Sequence, residues 1–447
     1  MGTIQMEMDT KNRTPDIQRV YEEKKVSGEE AIRHIQPGQR VVVGHCGGEP
    51  KMLTRLLAEH KDWFENVEIV QMLPLGPSPF TQKGMEGHFR YHSIFVGDAT
   101  REAVAEGRAD YTPCFFYQVP RLFRTTLPVD VALIQVTEPD EQGYCSFGVS
   151  VDYIKAAAKQ AKLVIAQVNQ YIPRTLGDAF IHISEIDYIV EHHTPLTELP
   201  RPHIGKEEME IGRYCSTLIE DGDTLQIGIG GIPEAVLSSL KGKRNLGIHS
   251  EMIGESVVDL MECGVITNSR KAVNPGKVIT SFLLGGKRLF DYVNNNPQIE
   301  LHPIDYVNNP VVIMQHDRMV SINSCIQVDL MGQVVAETIG SMQISGVGGQ
   351  VDFVRGAAMA EHGRSIIAMT STALHGKVSK IVPYIPDGAA ITTSRNDVDY
   401  VITEYGIAAL RGKTLRERAE SLIRVAHPKF RDDLWEEWQK KYIRQSR

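Results

Sequence analysis

The chain has 447 residues, of which 42% are hydrophobic and 23% charged, and its formal net charge at pH 7 is −8. A chain of this length can bury the cores of about two or three domains. The negative balance excludes a general electrostatic attraction to nucleic acid or to an anionic membrane surface, so we predict neither as a partner.

The cysteines and the start of the chain indicate a cellular compartment. The six cysteines occur singly, without a C-x-x-C pair, which argues against a disulfide framework or a zinc site and favours a reducing environment. The first residues lack the apolar core of a signal peptide, and no apolar run approaches the ~18 residues of a membrane span. We therefore expect a cytoplasmic protein that begins with a loose tail over residues 1–15.

The first half of the chain alternates strand and helix patterns. Ser27 and Glu30 have the spacing of a capping box, which predicts a short helix over residues 27–35. Strands that alternate with helices imply an α/β fold with a mainly parallel sheet. The predicted strands that follow are Val41–Val43, Val67–Met72, Val131–Val136 and Leu163–Val168. The predicted helices between them are one through Met52 and Leu57, Arg101–Glu106 and Tyr153–Lys162.

The second half repeats this plan after a break. Residues 194–205 (TPLTELPRPHIG) carry three prolines and no periodicity, so we interpret them as a linker between domains at residues 16–193 and 206–447. Strands are predicted at residues 311–314, 366–369 and 397–402. In each half a glycine, a short apolar strand, a glycine turn and a proline follow one another (Gly38 to Pro50, Gly222 to Pro233), which suggests two similar halves.

Residues 225–252 give the strongest functional signal. A strand over residues 225–227 meets a glycine turn, a helix opens at Pro233, and a second strand over residues 246–249 leads to Glu251. Free N–H groups at the helix start point into the crevice beyond the strand ends, where open α/β sheets bind ligands, and Glu251 should face it. The same pattern also fits a dinucleotide site with the acid on a ribose, although Pro233 replaces the third glycine, or a purely structural turn.

The remaining chemistry favours a carboxylate nucleophile. The sequence contains no P-loop, no G-x-S-x-G elbow and no H-E-x-x-H, and we predict no metal. An ionised carboxylate can attack an activated acyl carbon without a general base. Because it is a weak nucleophile, it needs strong oxyanion stabilisation, which backbone N–H groups supply at roughly 3–4 kcal/mol per donor. A thioester substrate meets these requirements.

Several motifs resemble those of the acetyl-CoA hydrolase/transferase family, and the resemblance covers essentially the whole chain beyond the tail. They are GHCGGEP (44–50), DEQGYCSFGVSVDY (140–153), FIHISEID (180–187), GIGGIP (228–233), GIHSEM (247–252), SGVGGQVDFVRGA (345–357), TSRNDVDYVITEYGIAALRG (393–412) and AHP (426–428). The resemblance implies two similar open, mainly parallel α/β domains of the family I CoA-transferase type, with the active site between them. It also implies a homodimer or higher homo-oligomer.

The resemblance further implies an enzyme that moves CoA between short-chain acids such as acetate, butyrate and 4-hydroxybutyrate; an acyl-CoA hydrolase remains an alternative. Glu251 would be the catalytic residue and would form a glutamyl-CoA thioester in a ping-pong reaction. The CoA thioester is a substrate, and no bound cofactor is implied. The residues that would bind it are Gly228, Ile229, Gly230, Gly231, Gly346, Gly348 and Gly349, with Gln350, Asn323 and Glu404 as further candidates.

Overall fold

A computed structural model describes residues 17–440, so the predicted N-terminal tail lies outside the described residues. A seven-stranded parallel sheet dominates the first half. Its central strands are almost entirely buried, as expected where both faces of a parallel sheet are covered. From edge to edge the strands are Tyr188–Glu191, Leu163–Val168, Val131–Val136, Arg40–Val43, Val67–Gln71, Phe89–Ser93 and Ala109–Tyr111.

A six-stranded sheet dominates the second half. Its first five strands are parallel, and the last pairs antiparallel to its neighbour through a tight hairpin at Glu404 and Tyr405. The carboxyl ends of the parallel strands meet at one edge, which is where a ligand crevice is expected. In order, the strands are Gly247–Ile248, Thr224–Ile227, Met319–Asn323, Arg364–Ala368, Tyr400–Thr403 and Gly406–Ala409.

Helices connect and cover the sheets, and no helix within residues 17–440 is long and apolar enough to cross a bilayer. Their bounds are Ile17–Lys24, Gly28–Ile32, Lys51–Glu59, Arg101–Ala105, Val119–Arg124, Ile154–Gln160, Lys206–Thr217, Gly231–Ser238, Glu255–Glu262, Lys287–Val293, Ile304–Val307, Pro310–Ile313, Gln350–Met359, Leu415–Val425 and Arg431–Trp438. The predicted N-cap of the second helix is confirmed, because the Ser27 hydroxyl accepts from the Glu30 N–H at 3.1 Å. The helix ends at Ile32, three residues before its predicted end at residue 35.

Short strands tie the two halves together. Leu176–Gly177 of the first half pairs in parallel with Ile299–Leu301 of the second, which pairs in turn with Val278–Thr280. The other short strands are Tyr144–Ser146 with Phe180–His182, Met252–Ile253 with Phe282–Leu283, Gln327–Asp329 with Val334–Val335 and Ile381–Val382, Thr338–Ile339 with Met342–Gln343, and Thr372–Ala373 with Val378–Ser379. One buried apolar cluster contains residues of both halves, so they pack as neighbours along a shared core.

The predicted α/β class with mainly parallel sheets is confirmed, and one predicted strand is wrong. The apolar run at residues 311–314 predicts a strand, but the structure has a helix at Pro310–Ile313. Asn309 caps it by accepting from the Val311 N–H at 3.0 Å, and Pro310 occupies the first turn, where its missing N–H costs nothing. Residues 192–205 form neither helix nor strand; the domain boundaries drawn around the linker remain a prediction.

Candidate active site

Glu251 lies just beyond the carboxyl ends of two neighbouring strands. The strand Gly247–Ile248 ends three residues earlier, and Ser250 then fastens the chain to the next strand. The Ser250 hydroxyl donates to the Ile227 carbonyl at 3.0 Å and accepts from the Ile227 N–H at 3.2 Å. On the other side, the Glu251 carbonyl accepts from the Ser281 N–H at 3.0 Å. The backbone that carries Glu251 is therefore held from both sides.

A cavity of about 220 Å³ surrounds the Glu251 side chain. It gathers seven of the residues predicted from sequence, which are Gly228, Glu251, Asn323, Gly346, Gly348, Gly349 and Gln350. Four other predicted residues do not line it: Ile229, Gly230, Gly231 and Glu404. A cavity of this size accommodates an acyl group and a sulfur atom, the reactive end of a larger substrate.

The first glycine turn lies at the mouth of this cavity. Gly230 has φ +117°, a conformation that favours glycine, and the helix that follows begins at Gly231, two residues before the predicted start at Pro233. The Ile229 side chain is 44% exposed, which is unusual for a large apolar group. Only Gly228 of this turn reaches the cavity itself.

The second glycine turn closes directly over Glu251. A Cβ atom on Gly349 would lie 1.9 Å from Glu251 Oε2 and 2.3 Å from Asn308 Nδ2, so no larger residue fits. Gly349 has an ordinary φ of −93°, and its requirement is therefore one of space. A Cβ on Gly346 would lie 2.9 Å from the Phe95 ring of the first half. The site thus lies between the two halves, as the family resemblance implied.

The surroundings of Glu251 favour the protonated, neutral carboxylic acid more strongly than water would. Burial raises the pKa of Glu251 to about 7, although the hydrogen bond from Asn308 Nδ2 to Oε2, at 2.7 Å, opposes that rise. The charge of His45 and the Gly349 backbone also lower the pKa, while Asp152 raises it. Near neutral pH the carboxylate is therefore partly ionised and poorly solvated, which makes it more reactive than an exposed glutamate.

A buried ion pair from the first half lies near Glu251. His45 Nε2 is 2.9 Å from Asp152 Oδ2, and both side chains are almost completely buried. Burial by itself lowers the pKa of His45, but the charge of Asp152 outweighs this and raises the pKa well above its ordinary value. Both residues belong to motifs that carry the family resemblance, but a motif match alone gave them no role.

Two further neighbours of Glu251, Asn308 and Asp352, were given no role from the sequence, although Asp352 lies in the motif at residues 345–357. Asn308 lies between a short helix and the Asn309-Pro310 cap of the following helix. A sequence of this kind is typical of a structural turn. Asp352 lies in the first turn of the helix after Gly349 and is 1% exposed. Its Oδ2 accepts from the Tyr117 N–H at 3.2 Å and lies 3.3 Å from Asn308 Nδ2.

Asn323 and Gln350 line the cavity and are held by other polar groups. The amides of Asn323 and Gln226 exchange two hydrogen bonds, at 3.0 and 3.2 Å, across adjacent strands. Gln350 Nε2 donates to the Ser324 carbonyl at 2.6 Å, and its oxygen accepts from the Thr393 hydroxyl at 3.3 Å. These bonds fix both amides as rigid parts of the cavity wall.

Glu404 lies outside the cavity that holds Glu251. Its carboxylate accepts from the Ser371 N–H at 2.8 Å and from the Ser371 hydroxyl. It borders a separate cavity of about 690 Å³, which Lys206 and His427 also line. The structure therefore does not bring the two strand-end acids together.

The described residues offer one grouping with the side chains of a metal site, and it is remote from this cavity. Ligand atoms of Asp317, Glu361 and His362 lie within 4.8 Å of one another, and all three residues are exposed. None of them lines the cavity around Glu251. Exposed acidic groups of this kind are common on protein surfaces without an ion, so the grouping gives no reason to route chemistry through a metal.

Comparison with known proteins identifies the family. The models for the N-terminal and C-terminal domains of acetyl-CoA hydrolase/transferase match residues 6–199 and 285–438. The 4-hydroxybutyrate coenzyme A transferase of Clostridium kluyveri is 59% identical over 426 residues, which cover 95% of this chain and 99% of that protein. The succinyl-CoA:cyclohexane-1-carboxylate CoA transferase of Geobacter metallireducens is 45% identical over 95% of this chain and 97% of its own.

Solved structures give the same result. A 4-hydroxybutyrate CoA-transferase from Porphyromonas gingivalis is 44% identical, has a TM-score of 0.83, and the match covers 95% of this chain and all of that one. RipA from Yersinia pestis is 36% identical with a TM-score of 0.90, over 96% of this chain and all of its own. The chain therefore belongs to the acetyl-CoA hydrolase/transferase family.

Proposed function

We propose that the protein is a CoA-transferase that moves CoA between short-chain carboxylic acids, with Glu251 as its nucleophile. The acids on one side are 4-hydroxybutyrate or butyrate, and acetyl-CoA or acetate is on the other. The observation that carries this proposal is the small cavity in which a half-buried carboxylate meets residues of two glycine turns. The CoA-transferase activities named for the relatives above support the same reaction class.

The reaction needs neither a bound cofactor nor water. In the first step the Glu251 carboxylate attacks the thioester carbon, a C–O bond forms, the C–S bond breaks, and CoA leaves as a thiolate. The thiolate then attacks the glutamyl carbon of the mixed anhydride, which releases the first acid as a carboxylate and leaves a glutamyl-CoA thioester. An acceptor carboxylate repeats these two steps in reverse, which yields the new acyl-CoA and restores Glu251.

The glycine turns supply the electrostatic part of this mechanism. We assign the N–H groups of Gly228 and of the turn at residues 346–349 to the thioester and its oxyanion, where each well-placed donor contributes about 3–4 kcal/mol. The rest of the first turn, residues 229–231, would contact the CoA chain outside the cavity. The tight packing of Gly349 on Glu251 Oε2 limits the positions of the carboxylate, so it is already oriented when the acyl group enters. Asn323 and Gln350, which also line the cavity, would contact the acyl-thioester end.

Most of the CoA molecule must lie outside the cavity, because about 220 Å³ accommodates only its reactive end. The exposed Ile229 side chain marks a path along the outer side of the first glycine turn. We assign Glu404 to a remote, uncharged part of CoA, because the cavity it borders, about 690 Å³, is in the size range of ligand sites. Three further glutamates line that cavity and would repel the phosphates of CoA: Glu207, Glu208 and Glu210. On this proposal Glu404 affects binding and Glu251 affects chemistry.

We also propose a homodimer or higher homo-oligomer. Ile339, Met342 and Ile391 are each about half exposed, and the segments that carry them are adjacent, since the Ala390 N–H donates to the Thr338 hydroxyl at 2.9 Å. Apolar side chains grouped in this way are typical of interaction surfaces. Light scattering after size-exclusion chromatography should give a mass of at least twice 49.9 kDa, and a monomer would refute this part of the proposal.

Dependence on an acceptor acid tests the proposed class directly. Acetyl-CoA and butyrate together should give butyryl-CoA much faster than acetyl-CoA alone releases free CoA. A transferase protects its glutamyl thioester from water, whereas a hydrolase does not. Equal rates of acetyl-CoA loss with and without butyrate would identify an acyl-CoA hydrolase instead.

A further inference from the structure

A further cavity, of about 350 Å³, lies at the edge of the six-stranded sheet opposite to Glu251. It is beside the amino ends of the strands that begin at Thr224 and Met319, whereas Glu251 lies beyond carboxyl ends. Thr224 lines this cavity and Ile227 lines the one around Glu251, so the two cavities are about 10 Å apart along that strand. The polar residues that line the further cavity are Asp221, Thr224, Arg270, His316, Asp317 and Arg318.

His316 lines this cavity without a hydrogen-bond partner for its ring. The residue is 1% exposed, and neither Nδ1 nor Nε2 has a partner among the described residues. Burial, with a smaller contribution from the charge of Lys271, lowers the pKa of His316 to about 3, so the ring is neutral at pH 7 and carries one N–H. A buried donor without an acceptor destabilises the fold, so an acceptor that enters the cavity would be stabilising.

Arg270 contributes a guanidinium group that no side chain neutralises. Within residues 17–440 its side chain has neither a hydrogen bond nor an ion pair. Arg318 differs, because its Nε donates to Asp223 Oδ1 at 3.0 Å and its Nη2 contacts Glu220. Asp223 also accepts from Arg364 at 2.8 Å, so its charge is compensated twice. The free N–H groups of Arg270 match the geometry of a carboxylate or a phosphate.

Lys271 adds a buried positive group beside the cavity. It is 4% exposed, and its Nζ donates to the carbonyls of Ile248 and Lys277, each at 2.7 Å. In the described part of the chain no carboxylate forms an ion pair with it. Burial lowers the pKa of Lys271 to about 7, and the charge of Glu300 opposes this only in part. An anion in the adjacent cavity would supply the counter-charge that a buried ammonium group needs.

The acidic residues that line the cavity are already engaged. Asp317 Oδ1 is 2.8 Å from His362 Nδ1, and Asp221 Oδ1 accepts from the Arg244 N–H at 2.8 Å. Both aspartates are exposed, so water and salt screen their charges. The groups without partners are therefore the donors at Arg270 and His316, and this imbalance favours an anion over a cation.

We propose that this cavity binds a small oxyanion, a phosphate or a carboxylate, with Arg270 and His316 as its main donors. The oxyanion accepts from the guanidinium of Arg270 and from the N–H of His316, and the charge of Lys271 attracts it further. A volume of about 350 Å³ holds a phosphate or a four-carbon carboxylate together with water. The site is separate from the catalytic cavity, and it does not depend on the role proposed for Glu251.

Calorimetric titration of the full-length protein with inorganic phosphate tests the site. CoA is present at saturation, so that groups which bind the phosphates of CoA are occupied. Phosphate should bind with a Kd of about 1 mM or tighter, and Arg270→Ala should weaken binding at least about tenfold. Arg121→Ala is the matched control. This exposed arginine lies on a helix of the first half and forms no ion pair with any described residue, so its loss should change the Kd less than about twofold.

Butyrate is titrated in the same way, to distinguish the two sources of an oxyanion. Tighter binding of phosphate would assign the site to a phosphate ligand, and tighter binding of butyrate would assign it to a carboxylate. Either result supports the proposal if Arg270→Ala abolishes or weakens that binding. Binding of neither anion would overturn the proposal, and so would a Kd that is the same in the wild type and in Arg270→Ala.

His316→Leu gives an independent test through thermal stability. Leucine has a similar volume and no polar atom, so without an oxyanion the variant should melt at or above the temperature of the wild type. Phosphate at tenfold its Kd should raise the melting temperature of the wild type by about 2 °C and that of His316→Leu by less than about half as much. An equal rise in both proteins would overturn the proposal. A variant that melts well below the wild type would show that His316 already has a partner inside the protein, which would overturn it too.

Discussion

Two glutamates follow strands of the same sheet, and their surroundings differ sharply. Glu251 lies in a cavity of about 220 Å³ against Gly349 and Asn308, and its pKa is raised to about 7. Glu404 lies in a hairpin turn, where Ser371 satisfies its carboxylate, and it borders a much wider cavity. The sequence places both acids at strand ends. Only Glu251 is confined in the way that a carboxylate nucleophile requires.

The difference teaches that position on the sheet is necessary for this chemistry but not sufficient. A strand end delivers a side chain to the ligand crevice. Reactivity then depends on how few water molecules and how many fixed donors surround the carboxylate. For Glu251 those features come from residues far away in sequence, including Asn308 and the turn at residues 346–349.

Exchange of each acid for its amide should separate the two roles most strongly. Glu251→Gln should lower kcat for CoA transfer by at least about a thousandfold, because the nucleophile is lost while the shape is kept. Glu404→Gln should change kcat by less than about tenfold and act mainly on KM for acyl-CoA. Steady-state assays at saturating acceptor measure both. Similar losses of kcat in the two variants would remove the distinction between them.

Replacement of Gly349 should have the next largest effect on kcat, because this residue confines Glu251. Gly349→Ala should lower kcat about a hundredfold, because the new methyl group needs the space that Glu251 Oε2 and Asn308 Nδ2 occupy. Gly242→Ala is the matched control, since a Cβ there would meet no described atom within 4 Å. A Gly349→Ala protein with wild-type kcat and a normal melting temperature would show that the nucleophile does not depend on this contact.

The pH dependence of CoA transfer should show the smallest of the effects that set Glu251 apart from Glu404. Glu251 acts as a nucleophile when ionised, so the rate should rise as pH passes through about 7 and fall about tenfold between pH 8 and pH 6. Because its folded pKa is raised, proton loss on Glu251 destabilises the fold between its unfolded value and about 7. Glu251→Gln should therefore raise the melting temperature at pH 8 and leave it unchanged at pH 4. A rate that stays constant down to pH 5 would contradict the raised pKa.

The sequence predicts the strands well because parallel-sheet strands are short apolar runs between glycines and prolines. The runs at residues 131–136 and 163–168 form strands with those bounds, and the glycine turns lie at strand ends as expected. The run at residues 311–314 has the same apolar character, but a local signal, the Asn309 cap and Pro310, made it helical. Apolar runs of about four residues do not separate the two states unless the capping residues before them are considered.

The site is predictable only in part, for a physical reason. Glu251 and the glycine turns carry recognisable patterns, because close backbone approach to a ligand demands particular residues. Asn308 and Asp352 reach the site through tertiary packing, and His45 and Asp152 reach it from the other half of the chain. An asparagine before a helix cap and an aspartate in a first helical turn look structural in sequence. Their contact with the nucleophile exists only after the two halves pack.

Mapping the covalent adduct tests the central claim most directly. The protein is incubated with acyl-CoA without acceptor, treated with borohydride, digested, and its peptides are weighed by mass spectrometry. Borohydride reduces a glutamyl thioester to an alcohol, so the peptide that contains Glu251 should lose the corresponding mass, and the peptide that contains Glu404 should not. The account predicts this change in the wild type and its absence in Glu251→Gln. A reduced residue at Glu404, or an unmodified Glu251 in an enzyme that transfers CoA, would contradict it.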